Sequence, residues 1–169
     1  TRTGDPIGDA GRAFAAAAGL TGVAFSSGAA VGSTVLAEVK SQPVHVLIDQ
    51  MMSWSDNILA ENLARVTSKA SGFDGSSASL AQAIKGALVD YGVDTAALTI
   101  RDGSGLSDLN AVSPQYVAQL MIKIRAGEKN LAVIYSALPV AGVSGTLASR
   151  FTGANAIAAG NVVGKTGWL

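Results

Sequence analysis

The sequence predicts an α+β domain, and three observations carry that expectation. Helical hydrophobic periodicity recurs in separate blocks along the chain, Gly- and Ser-rich breaks interrupt it, and an extended, strand-like run closes the sequence. At 169 residues, with 49% hydrophobic and 14% charged side chains, there is material for one core, so wholesale disorder and two full domains are both excluded.

The elements follow in order. The segment up to about Leu20 reads as a helix, with Asp9 as its cap and Gly19 as its stop after an alanine run. Gly22 to Gly32 holds no sustained period and reads as loop or strand fragments. Ser41 is the expected cap of a second helix, with Pro43 in its first turn and Val44, Leu47, Ile48, Met51 and Met52 along one face. A third begins almost at once, because Ile58, Leu59, Leu63 and Val66 repeat the period just beyond Ser55-Asp56-Asn57. That polar tripeptide is therefore expected at a junction between two packed helices. Leu80, Ile84, Leu88 and Tyr91 mark a fourth, with Ser76 or Ser77 before it and Gly92 after it. A fifth runs from Pro114 through Val117, Leu120, Met121 and Ile124, capped by Ser113 and stopped near Gly127. Leu98-Thr99-Ile100 reads as a short strand leading into the turn-rich Asp102-Gly103-Ser104-Gly105, Gly145-Thr146-Leu147 as the start of a short helix capped by its Thr, and Asn161 to Trp168 as a strand.

Composition narrows the function. Twelve basic and twelve acidic residues cancel, which removes the positive field that nucleic-acid binding relies on. There are no cysteines, so disulfides, Cys-based zinc sites and thiol catalysis are excluded, and the single histidine, His45, cannot build a His-rich metal cluster. Neither a metal nor a cofactor is expected. No stretch approaches the roughly 18 to 20 apolar residues of a membrane span.

Two short motifs carry chemistry. In Ser55-Asp56-Asn57 a hydroxyl that can relay a proton stands beside an amide that can both donate to a carbonyl and accept from an amine, although Ser, Asp and Asn are also ordinary helix-start residues. In Lys165-Thr166-Gly167 an ammonium and a hydroxyl on a strand make a seat for a carboxylate, and Gly167 lets a ligand backbone come close. The bland reading of this second motif is a solvated lysine.

A Ser-Asp-Asn on a helix followed about a hundred residues later by a Lys-Thr-Gly resembles the second and third signatures of the penicillin-recognising serine enzymes. Four segments make the chain similar to one branch of them, the D-alanyl-D-alanine carboxypeptidase/endopeptidase family of low-molecular-mass penicillin-binding proteins, peptidase family S13. They are Ser53 to Leu63, Asp102 to Ser107, Leu138 to Leu147 and Gly164 to Gly167. The resemblance implies a partial penicillin-binding fold of helices and antiparallel sheet, with residues 1–169 forming part of a single serine peptidase domain. It implies that Ser55 passes a proton to the leaving amine and that Asn57 holds the substrate amide. Lys165 and Thr166 would receive the terminal carboxylate of a peptidoglycan peptide ending in D-Ala-D-Ala, or of a β-lactam that imitates it, Gly167 would be substrate-binding beside them, and the backbone N–H of Trp168 would be an oxyanion donor. Asp56 is expected to be structural. It further implies an exported protein working in the periplasm or on the cell-wall side of the membrane.

Two departures qualify the match. The family's nucleophile signature is a Ser three residues before a Lys, and the residues three before the chain's lysines are Ala37, Val66, Gln82, Leu120, Ala126 and Val162. The chain thus reads as an interior fragment whose nucleophile lies elsewhere, or alternatively as a catalytically inactive module that binds peptidoglycan or penicillin. A helical scaffold in which both motifs are coincidental is the third reading. The other departure is Trp168, where the family more often has Thr; its ring would reshape the pocket while leaving the N–H in place.

Overall fold

The structure is a computed structural model and describes residues 4–26, 28, 32, 34, 35 and 37–167. The chain divides into two compact units, Thr1–Lys40 and Ser41–Leu169.

The first unit holds α1, Pro6–Ala17. Its cap is Asp5, which accepts a hydrogen bond from the Gly8 amide at 3.0 Å, with Pro6 at the first helical position. Asp9, the expected cap, lies inside the first turn and pairs with Arg12, which also reaches Asp5. The correction has a simple cause: Asp followed by Pro is the stronger start signal, since proline has no N–H to satisfy there. The helix ends at Ala18, followed by Gly19 at φ +68°. The described residues of Gly22 to Gly32 form no regular element.

The second unit begins with α2, Val44–Trp54. Its N-cap is Pro43, without a side-chain cap, so Ser41 does not cap it. Three residues later comes α3, Asn57–Ala70, capped by Asp56, whose carboxylate accepts from the Ile58 and Leu59 amides at 3.0 Å each. Such a cap contributes about 1 kcal/mol. The helix α4, Ser77–Val89, packs along α3. Between them Ser68, fully buried, meets the Ser79 hydroxyl at 2.8 Å, and Ser79 donates onward to the Ser76 carbonyl. A small side chain that satisfies its own hydroxyl lets the two backbones approach there. Leu80 and Ala83 bury the same face of α4.

The helix α5, Pro114–Ala126, matches the sequence expectation at both ends. The Ser113 hydroxyl accepts from the Tyr116 amide at 3.1 Å, and Gly127 closes it at φ +66°. A short α6, Ala132–Ser136, was not signalled by periodicity and packs against α2 and α5. Gly145–Leu147 forms a single 3-10 turn, and a second runs over Gly153–Ala158. Thr146 is inside its turn and caps nothing.

The expected sheet is not formed among the described residues. Thr99 pairs with Ala111 and Val140 with Val163 as isolated antiparallel bridges, and the rest of Leu98 to Ile100 and of Asn161 to Gly167 is irregular. A strand exists only where a neighbour completes its ladder, and the extended character of Asn161 to Trp168 says nothing about which neighbour that is. Here residues 139–141 offer a partial one: Ala141 donates to the Val162 carbonyl at 2.9 Å, Gly164 to Pro139 at 3.0 Å and Gly160 to Ala141 at 2.8 Å. This short zip delivers Lys165.

Candidate active site

The last turn of α2 closes on a residue of left-handed conformation. Ser55 sits at φ 56°, ψ 49°, its N–H and that of Asp56 both turning back to the Met51 carbonyl. Glycine is the residue this position favours, and a side chain there costs roughly 1 kcal/mol. The serine therefore accepts strain where a hydroxyl is delivered. Asp56 then caps α3, and Asn57 opens it, so one sharp corner presents both Ser55 and Asn57 on the same side.

That corner faces the Lys-Thr-Gly segment. The Lys165 ammonium donates to Ser55 Oγ at 2.7 Å and to the Thr166 carbonyl at 2.6 Å. Two of its three protons are thereby engaged, leaving one for a ligand. Partial burial pushes the Lys165 pKa below its ordinary value. Since Ser55 Oγ accepts from the lysine, its own O–H remains available to donate. A cavity of about 600 Å³ opens here, lined by Ser55 and Asn57 on one side and Lys165, Thr166 and Gly167 on the other. Of the six residues singled out from the sequence, five line this one cavity; Trp168 lies outside the described residues.

Ser104, Gly105 and Leu106 form the cavity's third wall, which gives the Asp102 to Ser107 turn a place. The turn is held from within by Asp102, which accepts from the Gly105 and Ser107 amides at 2.8 Å and from the Asn110 amide at 2.9 Å. These bonds keep the Asp102 carboxyl below the ordinary range, against an opposing effect of burial. It is held from outside by Glu61 on α3. One Glu61 oxygen accepts from the Gly103 and Ser104 amides, at 2.6 and 3.1 Å, and the other pairs with Arg65. Arg65 continues to the Gly75 carbonyl and the Ser77 hydroxyl. A Cβ on Gly103 would collide with Ala64, so only glycine lets the turn lie this tightly on α3.

Sequence reasoning missed Glu61, because its partners are more than forty residues away and nothing local marks it. Replacing Glu61 by Ala is expected to raise amide hydrogen exchange at Gly103 and Ser104 at least tenfold, since charge-assisted bonds of this kind contribute about 1.5–3 kcal/mol. Unchanged exchange at both amides would show that the turn is held by Asp102 alone. Thr146 was missed as well: its hydroxyl lies 2.8 Å from that of Thr166.

Comparison with known proteins bears on this geometry. The sequence model of the D-Ala-D-Ala carboxypeptidase 3 (S13) family matches residues 1–169. Carboxypeptidase DacB of Mycolicibacterium smegmatis is 36% identical over 174 residues, covering 99% of this chain and 38% of that protein. The D-alanyl-D-alanine carboxypeptidase of Actinomadura is 33% identical over 183 residues, covering 98% of this chain and 32% of that protein. Among solved structures, penicillin binding protein 4 from Haemophilus influenzae in complex with a β-lactam superposes with a TM-score of 0.70 at 32% identity, over 76% of this chain and 30% of that one. The chain thus spans less than two fifths of the length of these relatives.

Proposed function

The chain belongs to the D-Ala-D-Ala carboxypeptidase (S13) family, and from that membership we propose that it forms one side of the active site of a serine peptidase that cleaves peptidoglycan stem peptides ending in D-Ala-D-Ala and is acylated by β-lactams. The observation that carries this reading is the Ser55–Lys165 contact at the wall of a cavity shared with Asn57 and Thr166.

In the reaction, a serine hydroxyl supplied by another part of the complete protein attacks the carbonyl of the penultimate D-Ala. The C–N bond to the terminal D-Ala breaks, an ester forms on the serine, and water later releases the peptide. Ser55 donates its proton to the departing amine and regains one from the proton that the attacking hydroxyl gives up, while Lys165, hydrogen-bonded to Ser55 Oγ, stays an ammonium and holds that hydroxyl in place. Asn57 holds the substrate amide from the start of α3. Lys165 and Thr166 bind the terminal carboxylate, which fixes the scissile bond in register. The strand pairing expected of Asn161 to Trp168 is proposed to be completed to an antiparallel sheet in the complete protein, and the enzyme is proposed to work in the periplasm or on the cell-wall side of the membrane, where a peptidoglycan substrate would be met.

Labelling of the complete protein with fluorescent penicillin tests the proposal. A covalent band that resists denaturation is expected, whereas binding that is lost on denaturation would favour the inactive binding module. A pH dependence follows as well. The carboxylate seat needs the ammonium form of Lys165, whose pKa burial has lowered from 10.5. Affinity for the peptide acid is therefore full near neutrality and is lost as pH rises through that lowered value, sooner than an exposed lysine would allow. KM measured against pH should rise on the alkaline side below pH 10.5; a KM flat through that range would remove Lys165 from carboxylate binding.

A further inference from the structure

Thr146 stands next to the cavity without lining it. Its hydroxyl is 2.8 Å from the Thr166 hydroxyl, twenty residues away, and half-buried. The turn that carries it is pressed onto the end of α2: Gly145 has φ +54°, and a Cβ there would collide with the Ser53 carbonyl, two residues before Ser55. Leu147, buried, anchors the other end of the turn, and its carbonyl accepts from the Gly142 amide at 3.0 Å. The turn is thus fixed to the helix that delivers Ser55, while its threonine holds the segment that delivers Lys165.

The direction of the hydroxyl pair decides what it does. A carboxylate only accepts hydrogen bonds, so Thr166 must donate its single proton to bind one. A hydroxyl that donates into the cavity is left with lone pairs, and Thr146 is the neighbour placed to donate to them. Accepting from Thr146 orients the Thr166 O–H bond away from Thr146 and polarises it, which makes it a better donor to an anion.

We propose that Thr146 is a positioning residue for the carboxylate seat, setting the preference of this site for a free terminal carboxylate over a neutral C-terminus through the hydroxyl of Thr166. This rests on the peptidase reading above. Without the Thr146 hydroxyl, Thr166 can turn its proton elsewhere, and only ligands with a carboxylate lose by it.

The test uses the complete protein with Thr146→Val, which keeps the shape and removes the hydroxyl, and Thr146→Ser, which keeps the hydroxyl. Peptides ending in D-Ala-D-Ala serve as substrate in the free acid form and as competitor in the C-terminal amide form. Thr146→Val is expected to raise KM for the acid about tenfold with kcat within about twofold, and to leave the inhibition constant of the amide unchanged. Thr146→Ser is expected to restore KM to within about twofold of the wild type. An unchanged KM in Thr146→Val, an equal loss for acid and amide, or a failure of serine to rescue would each overturn the proposal. Should the valine variant not fold, Thr146→Ala is read in the same way, because KM and the inhibition constant do not depend on the amount of active protein. A wild-type protein that neither cleaves the acid nor takes up fluorescent penicillin would sink the peptidase reading and this inference with it; a wild type that does both, beside a Thr146→Val variant with unaltered preference, would sink the inference alone.

Discussion

Replacing Lys165 by Ala in the complete protein is expected to lower kcat/KM for a D-Ala-D-Ala peptide about a hundredfold or more, and to slow penicillin acylation by a similar factor. The ammonium carries two contacts at once. It is the charged member of the proposed carboxylate seat, and a charged partner removed from a half-enclosed anion site costs about 2–5 kcal/mol. It is also the donor to Ser55 Oγ at 2.7 Å, so its loss frees the hydroxyl that is proposed to protonate the leaving amine. The first effect raises KM and the second lowers kcat, and both should be visible. Lys165→Arg keeps the charge but carries it on a planar fork, which cannot reproduce the two short bonds from one nitrogen to Ser55 Oγ and the Thr166 carbonyl. It should recover part of the KM and little of the kcat. Acylation rates of Lys165→Ala equal to those of the wild type would return Lys165 to the solvated lysine of the bland reading.

The elements that were legible in the sequence are those fixed by their own neighbours. The helix α5 is bounded by Ser113, Pro114 and Gly127, three residues whose preferences are local, and its limits could be read off directly. The corner at Ser55 was legible for the same reason, with the Asp56 cap separating two periodic runs. The helix α1 was placed with the wrong cap because Asp9 also precedes an apolar run; the Asp5-Pro6 pair was the better signal and was available.

What could not be read is what depends on partners far along the chain. The extended character of Asn161 to Trp168 is a local property, but strand pairing is not, and the structure answers it with one bridge to Val140. Thr146 carries the residue type of a helix cap, and only the fold brings it to Thr166. Glu61 sits in mid-helix like any solvated glutamate, and only the fold turns it toward Gly103 and Ser104. In the candidate site, then, the groups proposed to meet the substrate were visible as motifs, while the groups that hold them in place were not.

The largest contrast is expected between this 169-residue chain and the complete protein. Incubated with penicillin, the chain alone should gain no covalent mass, because none of its six lysines has a serine three residues before it. The structure adds a serious competitor that spacing along the sequence does not show: Ser55 and Lys165 form a Ser–Lys pair in space, with the lysine pKa lowered. A lysine acts as a base only when it is neutral, and this one is only partly buried, with its nitrogen donating to Ser55 Oγ and to the Thr166 carbonyl. Those contacts suit an ammonium, which shares a proton with Ser55 and has no free lone pair to take one. Reversible binding through Asn57, Lys165 and Thr166 remains compatible with the geometry. Intact-mass measurement separates the two outcomes. An unmodified chain beside an acylated complete protein assigns the nucleophile to residues outside these 169, whereas a penicilloyl increment mapped to Ser55 would make Ser55 the nucleophile and Lys165 its base, and the proton relay proposed for the pair would have to run in the opposite direction.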